Sequence, residues 1–219
     1  MTPKTVSLLI SMAPHSLRED LLALIDREIT LARQGKPATL WAKMNALVDP
    51  ILIEKLYKAS QAGVNITLII RGICCLRPGI KGISDTITVK SLVGRFLEHA
   101  RIFCFGDGAP LPSDAAKVFI SSADWMPRNL DKRVELMIPV LSLELRLRIL
   151  TTIMLGNIKD TENSWILLPN GSYRPPSEEG DKRLDIQKHL MGIPTIQDLY
   201  SKCFKELDGP SGEPDELTL

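Results

Sequence analysis

The apolar run Val64–Ile70, with the sequence VNITLII, ends at Arg71, and a glycine-punctuated basic stretch, RGICCLRPGIKG, continues to Gly82. A run of this length and β-branched content is typical of a strand buried on both faces of a sheet. In open α/β sheets, ligands bind just beyond the carboxyl ends of such strands. Glycines bring backbone N–H groups close to an anion, and guanidinium groups hold phosphate oxygens with paired hydrogen bonds. The sequence therefore predicts an anion pocket where this strand ends.

The residues before this strand predict two strand–helix units. The expected elements are a strand at Thr5–Ser11, a helix from a Ser16–Glu19 capping box to Gly35, a strand at Ala38–Met44, and a helix at Ile51–Ala62 that starts with Asp49–Pro50 and stops at Gly63. Two strand–helix–strand units in succession imply right-handed crossovers. The predicted fold class is therefore α/β, with a mostly parallel or mixed sheet and helices on both faces.

The residues after this strand predict a series of shorter elements. Ile87–Leu92 is ambiguous between a strand and a helix, whereas strands are expected at Ala100–Phe105, Val118–Ser121, Val134–Val140 and Trp165–Leu168. Helices are expected at Ser142–Leu155 and Asp181–Leu190, with a loop at Asn170–Gly180 between them. Residues 1–206 are predicted to form one domain and residues 207–219 a disordered acidic tail.

Composition narrows the class of protein. With 219 residues and a formal net charge of +1, the chain has the make-up of an ordinary globular domain. It lacks a signal-peptide pattern and an apolar run long enough to span a bilayer, so we expect no membrane span and a cytoplasmic location, either free or peripheral at the inner face of the membrane. The four cysteines form no C-x-x-C pair, and buried, inert thiols are expected.

Charge is unevenly distributed along the chain. The segment from Arg71 to Arg101 contains six cations and two carboxylates, namely Arg71, Arg77, Lys81, Lys90, Arg95 and Arg101 against Asp85 and Glu98. A local surplus of this kind suits a small polyanion, whereas a nucleic-acid duplex would favour a broad basic face. We therefore expect a phosphate-rich small ligand and no nucleic-acid partner.

His99 is the sharpest catalytic candidate, because it immediately precedes the predicted strand at Ala100–Phe105. A lone histidine is most often partly buried and satisfied by a backbone carbonyl. Here Arg101 lies two residues further on, and a small polar turn, Ser121–Asp124, follows later. Imidazole can attack phosphorus or move a proton, while a neighbouring cation and a hydroxyl-bearing turn hold the phosphate oxygens. This combination favours a role for His99 in phosphoryl transfer.

The same residues resemble the His-x-Lys and Gly-Ser-x-Asn pattern of the phospholipase D superfamily. Arg101 stands in place of the lysine, and Asp124 stands in place of the asparagine. Asp124 would repel phosphate unless a cation such as Arg128 pairs with it. A helix N-cap ahead of Trp125 is therefore favoured over a catalytic role for Asp124, and Trp125 itself is expected to anchor the core.

Longer segments resemble a more specific family. The stretches RGICCLRPGIKGISDTITVKS (71–91), VGRFLEHARIF (93–103) and ISSADWMPRNLDKRVEL (120–136) are similar to the C-terminal region of bacterial polyphosphate kinase, as are LWAKMNALVDP (40–50) and LIEKLYKASQAGV (52–64). The resemblance covers Ser7–Gln187. On these motifs the chain is identified as a member of the polyphosphate kinase family, corresponding to the second, C-terminal phospholipase D-like domain alone.

The resemblance implies a magnesium-dependent transferase that reversibly moves the terminal phosphate of ATP to inorganic polyphosphate through a phosphohistidine. It places the phosphorylated histidine and most magnesium contacts in an upstream phospholipase D-like domain, so the chain is expected to be inactive in isolation and to hold no metal. It assigns a nucleotide contact to Arg71 and an essential role to His99. Arg77, Lys81 and Arg101 are further expected contacts to ATP, ADP or polyphosphate. The implied partners are polyphosphate, ATP, the upstream domain and, in full-length form, further copies in a homo-oligomer.

Two other functions stay open at this level. One is a non-catalytic module that binds polyphosphate or nucleotide through the basic stretch. The other is a phospholipase D-like phosphodiesterase, which would need two histidine motifs brought together by dimerisation. For Lys43, the sequence favours equally a contact in the site and a lysine whose buried stem lets its ammonium reach solvent. For Arg128 and Arg133, it favours equally contacts to phosphate and structural ion pairs with Asp131 and Glu135.

Overall fold

The computed structural model describes residues 10–176 and 183–192. Its strands are β1 (Ser11–Ala13), β2 (Thr39–Met44), β3 (Asn65–Ile70), β4 (Ile87–Leu92), β5 (Ile102–Phe105), β6 (Lys117–Ser121), β7 (Glu135–Pro139), β8 (Ser164–Leu167) and β9 (Tyr173–Arg174). Its α-helices are α1 (Leu17–Arg33), α2 (Pro50–Gln61), α3 (Leu143–Arg148), α4 (Leu155–Lys159) and α5 (Ile186–Met191). Two π-helical segments cover Arg128–Lys132 and Ile149–Met154.

The strands form one mixed sheet in the order β1-β7-β6-β5-β2-β3-β4-β8-β9. Of the eight strand pairings within the described residues, only β2–β3 and β3–β4 are parallel. The predicted α/β class with a mixed sheet is therefore confirmed. The expectation of a mostly parallel sheet is wrong, because β5, β6, β7, β8 and β9 all pair antiparallel with their neighbours. β1 also pairs antiparallel, with β7 at the end of the sheet and Met12 opposite Leu136.

Helices cover both faces of the sheet, as predicted. Side chains alternate along β2, so Met44 packs with Leu21 of α1 and Leu56 of α2 on one face. Trp41 packs on the opposite face with Met154, from the π-helical segment between α3 and α4. No helix in the described part of the chain is long and apolar enough to cross a membrane.

The ends of the first two helices follow mostly from local sequence. The Asp49 carboxylate accepts a hydrogen bond from the Leu52 N–H at 3.0 Å, which confirms the predicted N-cap of α2. Gly35 and Gly63 adopt positive φ angles of 71° and 95° just after α1 and α2, where only glycine turns without strain. The predicted capping box at Ser16 does not form. Ser16 makes no side-chain cap, and its Oγ instead accepts a hydrogen bond from the Met12 N–H at 3.4 Å.

Other predicted boundaries shift. Ile87–Leu92 is a strand, which settles its ambiguity. The helix predicted at Ser142–Leu155 continues through the second π-helical segment to Lys159, and β9 lies within the predicted loop. The helix predicted from Asp181 begins at Ile186, where the Asp185 carboxylate caps the Lys188 N–H at 3.0 Å. Most of the predicted strand at Thr5–Ser11 and all of the predicted tail at 207–219 lie outside the described residues.

The thiols differ in environment. Cys104 is buried in the core on the same face of the sheet as Trp41 and Met154, and burial raises its pKa. Burial likewise raises the pKa of Cys74 to about 11. Cys75 is exposed, so the prediction of buried thiols is wrong there. The backbone at Cys74 bridges Leu47 in an extended conformation, which turns consecutive side chains to opposite sides. Cys203 lies outside the described residues.

Candidate functional site

The sheet topology brings the sharpest sequence-predicted residues to one edge. β2, β3 and β4 are parallel and end together, and β5 runs antiparallel to β2 with Lys43 opposite Ile102, so β5 begins at that same edge. We call this the C-terminal edge. Arg71 follows β3 directly, and His99 and Arg101 precede β5. The structure therefore places Arg71 on one side of the end of β2 and His99 and Arg101 on the other, at the edge where open sheets bind ligands.

Glu98 contacts three other side chains at this edge. Its carboxylate forms an ion pair with the Lys43 ammonium, whose side chain is 6% exposed, and accepts a hydrogen bond from Gln187 Nε2 at 2.7 Å. Its backbone carbonyl accepts a hydrogen bond from the Arg71 guanidinium. Burial raises the pKa of the Glu98 carboxyl, but the Lys43 and Gln187 hydrogen bonds outweigh burial and hold the pKa below its usual range. Glu98 is therefore a structural anion.

Lys43 lies beneath the C-terminal edge. Its ammonium also donates a hydrogen bond to Asn157 Oδ1, in the middle of α4. Burial lowers the Lys43 pKa, and the nearby Glu98 carboxylate counteracts only part of that effect. Lys43 therefore does not snorkel to solvent; it holds Glu98 from beneath the edge.

Arg101 and Asp124 form a second ion pair. Arg101 donates to both Asp124 oxygens, with Nη2–Oδ2 at 2.8 Å and Nε–Oδ1 at 3.2 Å, and each side chain is only 10% exposed. Asp124 also accepts from the backbone N–H of Asn45 at 2.7 Å and of Ala46 at 3.3 Å. The N-cap reading of Asp124 is therefore wrong, because its carboxylate ties the end of β6 to the end of β2. The cation that neutralises it is Arg101, and Arg128 was the wrong candidate.

His99 sits between these two ion pairs. The carbonyl just before it, that of Glu98, accepts from Arg71, and its own carbonyl accepts from Arg101 Nη1 at 2.9 Å. The side chain is exposed, and its imidazole makes no hydrogen bond with any residue that the structure describes. The alternative of a half-buried histidine satisfied by a carbonyl is therefore not observed. The backbone is fixed while the ring faces solvent.

The glycine-rich stretch does not cradle an anion. The Gly72 N–H donates to the Asn45 carbonyl at 2.8 Å, the Gly79 N–H to the Ser84 carbonyl at 2.9 Å, and the Gly82 N–H to the Asp85 carboxylate at 2.6 Å. All three amides are therefore satisfied within the protein. The prediction that these glycines present free N–H groups to a ligand is wrong, because the stretch is a crossover that closes its own turns.

Arg77 and Lys81 lie away from the C-terminal edge, because they belong to the same crossover. The crossover runs from the end of β3 to the start of β4, which lies at the opposite edge of the sheet. The Arg77 guanidinium donates to the Pro169 carbonyl, just past β8, at 2.9 and 2.6 Å. The carbonyl of Gly82, next to Lys81, accepts from Gln61 Nε2 at the end of α2. The structure therefore does not bring Arg77 or Lys81 together with Arg71 and His99.

Charged side chains around the edge form structural ion pairs. Arg133 lies 4.0 Å from the Glu135 carboxylate, whereas Asp131 pairs with Arg18 of α1. Trp125 is fully buried and packs on Phe103 with ring centroids 5.1 Å apart, which confirms its predicted role in the core.

The edge does not fit a magnesium ion. Within the described residues, no group of three histidine, cysteine, aspartate or glutamate side chains is placed to hold a metal. The two carboxylates of this edge are both neutralised, Glu98 by Lys43 and Asp124 by Arg101. A hard cation needs oxygen ligands that are free to coordinate it, so these two side chains do not fit magnesium.

Comparison with known proteins identifies the domain. Residues 9–187 match the family described as polyphosphate kinase C-terminal domain 2. The polyphosphate kinase of Erythrobacter litoralis is 47% identical over 188 residues, which are 86% of this chain and 26% of that protein. The polyphosphate kinase of Rhodopirellula baltica is 50% identical over 178 residues, which are 80% of this chain and 20% of that protein. The chain thus spans between a fifth and about a quarter of the length of these two curated relatives.

Solved structures agree with the sequence relatives. The crystal structure of polyphosphate kinase from Porphyromonas gingivalis superposes with a TM-score of 0.78 at 36% identity, over 91% of this chain and 28% of that chain. Nuc, a phospholipase D family member from Salmonella typhimurium, gives a TM-score of 0.46 at 13% identity, over 65% of this chain and 88% of that one. Fold and site define a mixed-sheet α/β domain with a histidine on a cationic strand edge. The chain belongs to the polyphosphate kinase C-terminal domain 2 family.

Proposed function

We propose that this chain forms one wall of a site that reversibly transfers the terminal phosphate of ATP to inorganic polyphosphate. The supporting observation is the exposed His99 ring, fixed at its backbone between carbonyls held by Arg71 and Arg101. Family membership supplies the reaction class. In phosphoryl transfer the protein contributes mainly position and electrostatic stabilisation, which a rigid cationic edge provides.

Each residue of the edge has a proposed role. Arg71 uses one nitrogen to hold the Glu98 carbonyl, and the rest of its half-buried guanidinium binds phosphate oxygens of the nucleotide. His99 donates a hydrogen bond or proton to the phosphate in transfer. Arg101 pairs with the Asp124 carboxylate and donates to the His99 carbonyl, so its proposed role is to stabilise the conformation of the edge.

The charge balance at the edge favours an anionic ligand. Three cations, Lys43, Arg71 and Arg101, stand against two carboxylates, Glu98 and Asp124, which leaves one positive charge in excess. The excess belongs to Arg71, since its partner is a neutral carbonyl while the other two cations are paired with carboxylates. A nucleotide or polyphosphate phosphate would supply the missing counter-charge.

The phosphohistidine is expected from another part of the polypeptide. In the proposed sequence, that histidine attacks the γ-phosphorus of ATP, and the bond to ADP breaks. A terminal oxygen of polyphosphate then attacks the same phosphorus, and the phosphorus–nitrogen bond breaks. His99 acts opposite the nucleophile without being phosphorylated itself. We therefore expect the 219-residue chain, incubated with radiolabelled ATP and magnesium, to acquire no acid-labile phosphate; label on His99 would contradict this division of roles.

A chimera tests the proposed reaction directly. The chain replaces the matching 188 residues of the Erythrobacter litoralis enzyme, which are 47% identical. We expect this chimera to synthesise polyphosphate from ATP and to run the reaction backwards from polyphosphate and ADP. A folded chimera that binds ATP or polyphosphate in a salt-sensitive manner but transfers no phosphate would instead support a non-catalytic binding module.

A further inference from the structure

The segment that carries His99 has little structure of its own. Residues 93–101 connect β4 to β5 without helix or strand, and most of their side chains are exposed, including Val93, Phe96 and Leu97 at 59%, 48% and 79%. The Arg95 guanidinium lies 5.4 Å from the centre of the Phe96 ring, a contact within the segment itself. Exposed irregular segments with few packed side chains open readily. The segment therefore needs specific contacts to keep His99 in place.

Gln187 of α5 supplies those contacts. Its Oε1 accepts from the Phe96 N–H at 2.8 Å, and its Nε2 donates to the Phe96 carbonyl at 2.9 Å, so one side-chain amide satisfies both backbone groups of Phe96. The same Nε2 donates to the Glu98 carboxylate at 2.7 Å. The Gln187 residue is 5% exposed. Hydrogen bonds to a buried side chain such as this one cost more to break than fully exposed ones, because the buried partner is left unsatisfied.

The fit around the Gln187 amide is close. A Cβ added to Gly94 would lie 2.5 Å from Gln187 Oε1 and 2.8 Å from its Cδ. A side chain at position 94 would therefore displace the amide from Phe96. The glycine is needed here for the approach of Gln187, since no positive φ angle is recorded for it.

Gln187 itself is held by a rigid base. The Ile186 N–H donates to the Asp160 carboxylate at 2.9 Å, and the Leu184 N–H donates to Thr161 Oγ1 at 2.8 Å. Lys90 of β4 in turn donates to the backbone carbonyl of Asp160. A continuous set of contacts thus links the sheet, the start of α5 and the segment before His99.

We propose that Gln187 is a positioning residue for His99. It fixes Phe96 and Glu98, and thereby sets the place of the imidazole relative to Arg71 for the phosphate ligand. The identity of the ligand rests on the proposed function. The placement of residues 96–99 by Gln187 does not depend on it. A misplacement of about 1 Å in such a group is enough to reduce activity about a hundredfold.

Amide hydrogen exchange on the 219-residue chain tests the structural part. Gln187→Ala removes the acceptor of the Phe96 N–H, so we expect that amide to exchange at least about tenfold faster, while amides in β3 keep their rates. Gln61→Ala is the matched control, since it deletes another glutamine bond to a backbone carbonyl at the opposite edge. Unchanged exchange at Phe96 in Gln187→Ala, or equal acceleration in Gln61→Ala, would overturn the proposal.

Binding of ATP, which carries the phosphate in transfer, tests the functional part through a double-mutant cycle measured by calorimetry. We expect Gln187→Ala to raise the Kd for ATP about tenfold when His99 is present, and by less than about threefold in the His99→Ala chain, because the lost contact acts through His99. An equal effect in both backgrounds would mean a general structural role and would overturn the proposal. If the unmodified chain binds no ATP, the proposed nucleotide contact fails, and the exchange result still decides whether Gln187 positions the segment.

Discussion

Replacing Asp124 with asparagine removes one charge from the edge while keeping the shape of the side chain. Asp124 and Arg101 are each 10% exposed and share two hydrogen bonds, at 2.8 and 3.2 Å. Removing one partner of a buried ion pair costs about 3–5 kcal/mol. Asparagine keeps one oxygen for the Asn45 N–H, so the lower end of that range, about 3 kcal/mol, is expected.

Urea unfolding of the 219-residue chain measures this loss. With a slope of about 2 kcal/mol per molar urea, the midpoint should fall by about 1.5 M at pH 7. Asp26→Asn is the matched control, since its ion pair with Lys55 at 2.8 Å is 53% exposed on the aspartate side and contributes at most about 1 kcal/mol. Equal midpoints for Asp124→Asn and the unmodified chain would refute the reasoning that this pair ties β6 to β2.

The pH dependence gives a second check on the same pair. Burial raises the pKa of the Asp124 carboxyl, but the Arg101 and Asn45 hydrogen bonds outweigh burial and hold the pKa below its usual value. A lowered folded-state pKa stabilises the protein above the unfolded value of about 3.9, and that contribution is lost as the pH falls through the folded-state pKa. The difference in the free energy of unfolding between the unmodified chain and Asp124→Asn should therefore be constant near neutral pH and become smaller below about pH 4.

Two further outcomes follow from the geometry. Arg71→Lys in the chimera should lower the rate of polyphosphate synthesis about tenfold, because a point charge cannot hold both the Glu98 carbonyl and a phosphate; an unchanged rate and KM for ATP would make Arg71 merely structural. A thiol reagent at pH 8 should modify exposed Cys75 well before buried Cys104, whose pKa burial raises, and mass spectrometry showing the reverse order would contradict the fold around β5.

Local sequence was sufficient for the place of Arg71, because Arg71 ends a continuous apolar strand and ligands bind beyond the carboxyl ends of such strands. It was not sufficient for the place of His99, which precedes β5 and reaches the same edge only because β5 runs antiparallel to β2. The N-cap at Asp49 was as predictable as the place of Arg71, because it depends on residues three positions apart. These features need only short-range patterns and a sheet.

Contacts between distant segments were not predictable in the same way. Gln187 lies 89 positions from Glu98 and carries no motif that marks it as part of a site. Asp124 was misread because its partners, Arg101 and Asn45, are 23 and 79 positions away. Lys81 was misplaced because a basic, glycine-rich stretch looks the same whether it stays at one edge or crosses the sheet. In each case the missing information was which elements become neighbours.

The comparison of His99→Ala with Lys81→Ala in the chimera tests the proposed site most directly. The sequence predicted both residues as phosphate contacts, with His99 also as the catalytic candidate, but of the two only His99 lies at the C-terminal edge with Arg71. We expect His99→Ala to reduce polyphosphate synthesis from ATP at least about a hundredfold, in the range of general acid–base and positioning effects, and Lys81→Ala to leave it within about twofold of the parent chimera. Near-normal synthesis by His99→Ala, or an equal loss in Lys81→Ala, would contradict the assignment of this edge as the wall of the phosphate-transfer site.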